Sequence, residues 1–203
     1  NFQTGLRSIL RQDPDIIMIG ETRDPETAEI SARAAITGHL VFSTLHTNDA
    51  ASSVTRLMDM GIPAYLAAAS IAGIVSQRLM RKVCPYCQEE YEARPEELKI
   101  LYGKPAAPGE HVRLGRGKGC YLCNETGYKG RLAIHEILSV DAEMKRMISE
   151  GRKEDELKAY AIRSHGMTTL KEEAVKMVLA GITTFEEMER LIYTIDMDYF
   201  GED

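Results

Sequence analysis

Residues 13–24, DPDIIMIGETRD, decide the fold class of this chain. The four apolar residues 16–19 form an unbroken run, which is typical of a strand buried on both faces of a parallel sheet. Gly20 ends the run, and Glu21 and Arg23 follow it. Ligands of open α/β sheets bind just beyond the carboxyl ends of strands, so this carboxylate lies where such sheets do chemistry. It can orient water beside a phosphate, although a solvated charged loop explains the same pattern.

Helix and strand patterns alternate along the sequence around this stretch. Residues 2–12 have helical spacing of apolar side chains. Asp24 is a predicted N-cap with Pro25 at the first helical position, which places a helix directly after the charged loop. A second buried strand is expected over residues 40–45 and another helix over residues 49–60. This order favours an α/β fold with a parallel-type sheet.

Composition and charge narrow the possible functions. The 203 residues are 44% hydrophobic and 28% charged, with a net charge of −6. Nucleic-acid binders usually carry a basic face, so we expect no nucleic-acid partner. The longest apolar stretch, residues 65–75, is too short to span a bilayer and predicts a core helix. The chain opens on Asn1 in a helical pattern, which we interpret as part of a longer protein.

The four cysteines form two Cys-x-x-Cys pairs, Cys84 with Cys87 and Cys120 with Cys123. Two such knuckles can bring four thiolates to the corners of a tetrahedron, the geometry that zinc prefers. The intervening segment is longer than the roughly 15–20 residues common in such sites, but long loops cost little. Free thiols and disulfides are the alternatives, and nothing marks the chain as secreted. We therefore predict about one structural Zn²⁺ per chain, with no open position for catalysis.

Three segments are expected along the chain. Residues 1–82 form the α/β core, residues 83–138 form the cysteine module with a polar loop between the pairs, and residues 139–203 form a helical subdomain. The last segment contains four candidate helices, over residues 141–149, 153–164, 168–180 and 184–194. Thr168 and Thr184 are the predicted caps of the last two.

Several strings, taken in order, resemble the secretion ATPase family that powers type II secretion and type IV pilus assembly. The resemblance rests on LRSILRQDPD (6–15), IMIGETRD (17–24), TGHL (37–40), STLHTNDA (43–50), QRL (77–79), GYKGR (127–131), GMTTL (166–170) and AGITT (180–184). The cysteine pairs point to the assembly and secretion branches, because the pilus retraction branch lacks them. Thr22 departs from the family, which usually has an apolar residue there.

The resemblance implies a hexameric, Mg²⁺-dependent ATPase built on a partial RecA-like P-loop NTPase core, with a zinc module and a C-terminal helical bundle. Glu21 would belong to the Walker B segment, polarising the attacking water and holding magnesium through waters. His46 would be a γ-phosphate or interface sensor, and Arg23 would join Glu21 and His46 in binding Mg²⁺ and ATP. Arg7 and Arg11 would stabilise charge during turnover; without the resemblance they would be solvated charges on a helix face.

The sequence lacks a phosphate-binding loop of the form Gly-x-x-x-x-Gly-Lys-Ser/Thr. Gly117-Lys118-Gly119 is not one, because no hydroxyl residue follows the lysine. The chain by itself is therefore expected neither to hydrolyse ATP nor to bind it tightly. The family implies a homo-hexamer that works with an inner-membrane platform protein, in the cytoplasm at the membrane periphery. The alternative function is a zinc-ribbon protein-interaction module on a non-catalytic α/β scaffold.

Overall fold

The computed structural model describes residues 2–104 and 111–198. Its first half contains α1 (Phe2–Ile9), β1 (Ile16–Met18), α2 (Pro25–Ile36), β2 (Leu40–Phe42), α3 (Ser52–Asp59) and α4 (Ala64–Ser70). The middle contains β3 (Gly73–Val83), β4 (Gln88–Glu92), α5 (Pro95–Tyr102), β5 (Arg113–Gly117), a 3₁₀ turn (Tyr121–Cys123) and β6 (Tyr128–Ser139). The chain then continues through α6 (Ala142–Ser149), α7 (Glu154–His165), α8 (Leu170–Leu179) and α9 (Phe185–Asp198).

Strands β1 and β2 pair in parallel, with Ile17 opposite Val41, and α2 connects them. The start of α2 is the one that the sequence predicts. Asp24 accepts a hydrogen bond from the backbone N–H of Thr27 at 2.9 Å, and Pro25 occupies the first helical position. This strand–helix–strand unit confirms the α/β class. The RecA-like architecture of the core remains a prediction.

The expectation that β1 is buried on both faces is wrong. Ile17 and Ile19 are buried in a cluster with side chains of α1 and α2, but Met18 is 81% exposed and Ile16 is also exposed. Successive side chains of a strand point to opposite faces, and among the described residues helices cover only one face. The second predicted buried strand is also corrected: it ends at Phe42 instead of residue 45, and Leu40 and Phe42 are exposed.

The chain divides into two compact units, residues 1–76 with 136–167 and residues 77–135 with 168–203. The core of the first unit contains side chains of α2, α3, α4, α6 and α7, among them Val54, Ala67, Met144 and Leu157. The predicted core helix over residues 65–75 is only partly right, because α4 ends at Ser70 and β3 begins at Gly73.

The second unit has its own core, in which Met80, Leu114, Ile134, Val178 and Met188 are buried. It includes an antiparallel pair of strands, β4 and β5, which α5 separates in sequence. Gln88 lies opposite Gly117 at one end of the pair, and Glu92 lies opposite Arg113 at the other. The polar loop expected over this segment is wrong, because β4, α5 and β5 lie in it. The strands were missed because their sequences are rich in charge and glycine, and charged side chains pair across the ladder instead of forming an apolar stripe.

The two units do not coincide with the three predicted segments. Helices α6 and α7 belong to the first unit, whereas α8 and α9 belong to the second. This division of the chain does not confirm the predicted segments, 1–82, 83–138 and 139–203. They remain predictions, as does the helical bundle. Of the two predicted caps, Thr184 accepts from the N–H of Glu187 at 3.1 Å, but α8 is capped by Thr169 rather than Thr168.

Candidate functional sites

The carboxyl ends of β1 and β2 meet at one edge of the parallel pair. Backbone pairing continues past both strands, because the N–H of Ile19 donates to Phe42 at 2.8 Å and that of Thr22 donates to Thr44 at 3.0 Å. The Thr44 hydroxyl also donates to the carbonyl of Gly20 at 2.6 Å. These contacts hold the loop after β1 beside the loop after β2.

Glu21, Arg23 and His46 form a charged cluster at this edge. Arg23 contacts one carboxylate oxygen of Glu21 at 2.5 Å, and His46 Nε2 contacts the other at 2.9 Å. Only 20% of the Glu21 side chain is exposed, whereas 88% of the His46 side chain is. Hydrogen bonding from Arg23, supported by its charge and by His46, lowers the pKa of Glu21 although partial burial opposes the shift. Glu21 is therefore an anion whose neighbour His46 faces solvent.

Thr22 shows how a polar residue is accommodated at a position where an apolar one is usual in the family that the chain resembles. Its side chain is buried, and its hydroxyl shares a hydrogen bond with Ser43 at 2.8 Å. The hydroxyl pair adds another link between the two loops. Thr22 therefore supports the placement of Glu21 instead of disturbing it.

The structure does not bring all the predicted catalytic residues together. Arg11 is exposed just after α1 and takes no part in the two ion pairs of Glu21. The backbone of Arg7 lies in α1, but its side chain lies outside the described residues. The assembled cluster thus contains Glu21, Arg23 and His46.

The four cysteine sulfurs converge in the second unit, all within 4.8 Å of one another. Cys84 Sγ lies 4.0 Å from Cys120 Sγ, and Cys87 Sγ lies 3.9 Å from Cys123 Sγ. A tetrahedral zinc with Zn–S bonds of about 2.3 Å requires sulfurs about 3.8 Å apart. All four thiols are free, so the donor set and its spacing fit a zinc ion rather than disulfides.

Two glycines, Gly117 and Gly127, flank the second knuckle and let the backbone on either side of it approach closely. A Cβ on Gly117 would lie 2.1 Å from the carbonyl oxygen of Gly127, so no larger residue fits at this approach of the two backbones. The N–H of Gly127 donates to Cys123 Sγ at 3.3 Å, and the N–H of Cys120 donates to the same sulfur at 3.2 Å. Burial opposes ionisation of Cys123, but these donors lower its pKa to about 6. Such a thiol is readily available as a thiolate ligand.

Residues 1–190 match the family described as "Type II/IV secretion system protein". The chain belongs to this family. It is 51% identical over 187 residues to the type IV pilus assembly ATPase PilB of Thermus thermophilus, covering 92% of this chain and 21% of that protein. It is 46% identical over 190 residues to the type II secretion system protein E of Pseudomonas aeruginosa, covering 94% and 37%. The family member described here thus spans between about a fifth and two fifths of the length of these relatives.

Two solved structures share the α/β fold of this chain. The pilus retraction motor PilT with bound ADP superposes with a TM-score of 0.62 at 27% identity, covering 94% of this chain and 43% of that one. The Legionella pneumophila ATPase DotB also gives a TM-score of 0.62, at 22% identity, covering 96% and 42%. Within the described residues, no helix combines the length and hydropathy needed to cross a membrane.

Proposed function

We propose that this chain is part of an Mg²⁺-dependent ATPase that drives type II secretion or type IV pilus assembly. Family membership and the names of the relatives support the activity class. The observation that carries the assignment of the site is the contact between Glu21 and His46 across the ends of two parallel strands. This family membership does not favour the alternative of a non-catalytic zinc-ribbon scaffold.

In this proposal Glu21 activates the attacking water. Its lowered pKa keeps the carboxylate anionic at neutral pH, so it can accept a hydrogen bond from water or from a metal-bound water. Arg23 holds one carboxylate oxygen and thereby limits the orientations of the group. A bound magnesium ion would neutralise charge on the β- and γ-phosphates.

His46 is the proposed sensor of nucleotide state. Its Nε2 contacts Glu21, while most of the imidazole is exposed and open to a second partner. A phosphate oxygen could replace the carboxylate as the acceptor of the Nε2–H, and this exchange would release Glu21 toward water. Arg7 and Arg11 are proposed to stabilise phosphate charge in the assembled motor.

The phosphate-binding loop is proposed to come from a part of the longer protein outside these residues. Two observations support this. The sequence contains no Gly-x-x-x-x-Gly-Lys-Ser/Thr motif. In addition, β1 and β2 expose apolar side chains on one face, as expected of a sheet that further chain completes: Ile16, Met18, Leu40 and Phe42.

The remaining parts of the proposal concern assembly and metal. The cysteine cluster holds a structural Zn²⁺ through Cys84, Cys87, Cys120 and Cys123, because the sulfur spacing fits that ion. Residues 1–82, 83–138 and 139–203 would act as catalytic core, zinc module and helical subdomain of a homo-hexamer. The motor would lie at the cytoplasmic side of the inner membrane, against a platform protein.

The test uses the full-length parent protein with Mg-ATP and measures phosphate release. Glu21→Gln keeps the size of the side chain but removes its charge, and we expect turnover to fall by about 10²–10⁴-fold. The matched control is Glu29→Gln, since Glu29 is exposed on α2 and should leave turnover unchanged. Equal turnover in the wild type and Glu21→Gln would overturn the assignment, and a silent wild type would revive the interaction-module alternative. Titration of the 203-residue chain alone with Mg-ATP should give no tight binding.

A further inference from the structure

A partly buried ion pair includes Asp49, which lies three residues beyond His46. Asp49 is only 7% exposed, and its Oδ2 contacts Lys158 Nζ on α7 at 2.5 Å. Its other oxygen accepts from the backbone N–H of Ser52, the first residue of α3, at 2.9 Å. Burial opposes the charge on each partner, yet the contact lowers the pKa of Asp49 and raises that of Lys158. Both groups are therefore charged at neutral pH.

A second buried carboxylate holds the next residue of the same segment. Glu136 on β6 is fully buried and accepts from the backbone N–H of Ala50 at 2.9 Å. Asp49 and Ala50 are thus held by side chains that lie 109 and 86 residues further along the chain, respectively. Nothing in the function assigned above uses these contacts.

These contacts bear on His46 because the intervening segment is short. Only Thr47 and Asn48 separate His46 from Asp49, and the Thr47 hydroxyl shares a hydrogen bond with Ser53 at 2.8 Å. On the N-terminal side of His46, the carbonyl of Thr44 accepts a hydrogen bond from the N–H of Thr22, the residue after Glu21. His46 itself is largely exposed, so its position depends on what holds the two ends of residues 44–49, the segment that we call the His46 turn.

We propose that Lys158, Asp49 and Glu136 are positioning residues for His46. They fix the C-terminal end of the His46 turn to α7 and β6, so that the imidazole meets Glu21 at hydrogen-bonding distance. A displacement of α7 would pass through the Lys158–Asp49 contact to the turn. The catalytic consequence rests on the proposed function of His46, whereas the structural coupling does not.

The experiment compares Lys158→Met with wild type in the full-length parent protein. Methionine keeps the length of the aliphatic stem but removes the charge, leaving Asp49 buried without its cation. We expect kcat to fall by about tenfold while KM for ATP changes less than about twofold, because positioning of His46 matters in turnover rather than in nucleotide capture. Lys158→Arg, which retains a cation, should recover most of the loss.

Hydrogen exchange of the intact parent protein supplies a readout that is independent of activity. Peptides covering residues 43–53 should exchange at least several-fold faster in Lys158→Met, because the turn has lost one of its anchors. Asp49→Asn retains an acceptor for the N–H of Ser52 but removes the charge opposite Lys158, and it should reproduce both effects. The matched control is Lys145→Met, at an exposed position of α6, which should change neither readout.

The outcomes separate this inference from the function on which it rests. Folded Lys158→Met and Asp49→Asn with unchanged exchange over residues 43–53 would overturn the coupling, whatever the ATPase activity. Faster exchange with unchanged kcat would overturn the catalytic role of the coupling. If Lys158→Met fails to fold, Asp49→Asn decides on the same two readouts. Failure of the proposed function appears separately, as unchanged turnover in Glu21→Gln.

Discussion

Two sites of the molecule differ in how far they are open to solvent. One is the Glu21 edge of the first unit, formed by Glu21, Arg23 and His46, and the other is the cysteine cluster of the second unit. At the Glu21 edge, side chains from two loops meet, and two of the three, Arg23 and His46, are largely exposed. In the cysteine cluster, four sulfurs converge, two of the cysteines are buried, and backbone N–H groups support a sulfur. The first arrangement leaves room for a ligand and for exchange of partners. The second is closed around its own donors, so we expect it to contribute stability rather than chemistry.

Removing one cysteine should have the largest effect and tests whether the closed cluster is structural. Metal-replete wild-type chain should contain about one zinc by elemental analysis, and Cys120→Ser should contain almost none. Structural zinc contributes roughly 10–16 kcal/mol in zinc-finger peptides, so residues 84–128 should become susceptible to proteolysis in the variant.

Tyr121→Ser is the matched control for the cysteine variant. Tyr121 lies in the same knuckle and is highly exposed, and its replacement leaves all four thiols in place. Its zinc content should equal that of the wild type. A metal-free wild type, or a Cys120→Ser chain that retains its zinc, would remove the contrast between the two regions.

A substitution that touches no thiol should also open the cluster. In Gly117→Ala the new Cβ would lie 2.1 Å from the carbonyl oxygen of Gly127, so the two backbones must separate. We expect a loss of about 3 kcal/mol in the free energy of unfolding and weaker zinc retention during dialysis against a chelator. Gly5→Ala is the control, because among the described residues no atom outside its own stretch of helix lies within 4 Å of the added Cβ, and the helix α1 should gain about 0.5–1 kcal/mol. Equal retention in both variants would contradict the close-approach argument.

Another carboxylate of the first unit, Asp141, provides a comparison for Glu21, because we expect its role to be structural. The N–H of Met144, the Tyr160 hydroxyl and His165 hydrogen-bond to it and lower its pKa to about 2. An unfolded aspartate titrates near 3.9, so its stabilising effect is complete above about pH 4 and disappears as the pH falls toward 2.

Urea unfolding of wild type and Asp141→Asn from pH 7 to pH 2 checks this expectation. The wild type should be more stable at neutral pH, and the difference between the two chains should shrink to nothing near pH 2. Acid release of metal affects both chains and cancels in the comparison. Asp59→Asn, at an exposed position, should show no such dependence. A difference that stays constant with pH would mean that the carboxylate of Asp141 is not the stabilising group.

The smallest expected effect is on stability in Glu21→Gln. The ion pairs of Glu21 have exposed partners, and such pairs contribute little to folding. Thermal unfolding of the Glu21→Gln chain should match that of the wild type within about one or two degrees, while turnover in the parent protein falls sharply. A large loss of stability would place Glu21 with the structural residues and would remove the difference between the Glu21 edge and the cysteine cluster.

The sequence predicts those features that depend on residues close together in the chain. The Asp24–Pro25 start of α2 and the two cysteine knuckles follow from short-range rules of capping and metal-ligand spacing, and the structure contains both. The pairing of β4 with β5 could not be predicted from the sequence, because its stabilising pairs, such as Glu89 with Arg116, join residues that lie far apart in the chain. Burial of β1 was overestimated because an apolar run shows what a strand can bury, not which layers cover it.

The amino-acid order alone was enough to indicate an α/β chain of a secretion ATPase type, with a four-cysteine cluster and a carboxylate after a core strand. Those features depend on residue types at fixed short spacing, where backbone geometry leaves few options. The partners of that carboxylate and of Asp49 required the folded chain. Glu21 meets His46, and Asp49 meets Lys158, only because pairing and packing bring distant segments within a few ångströms.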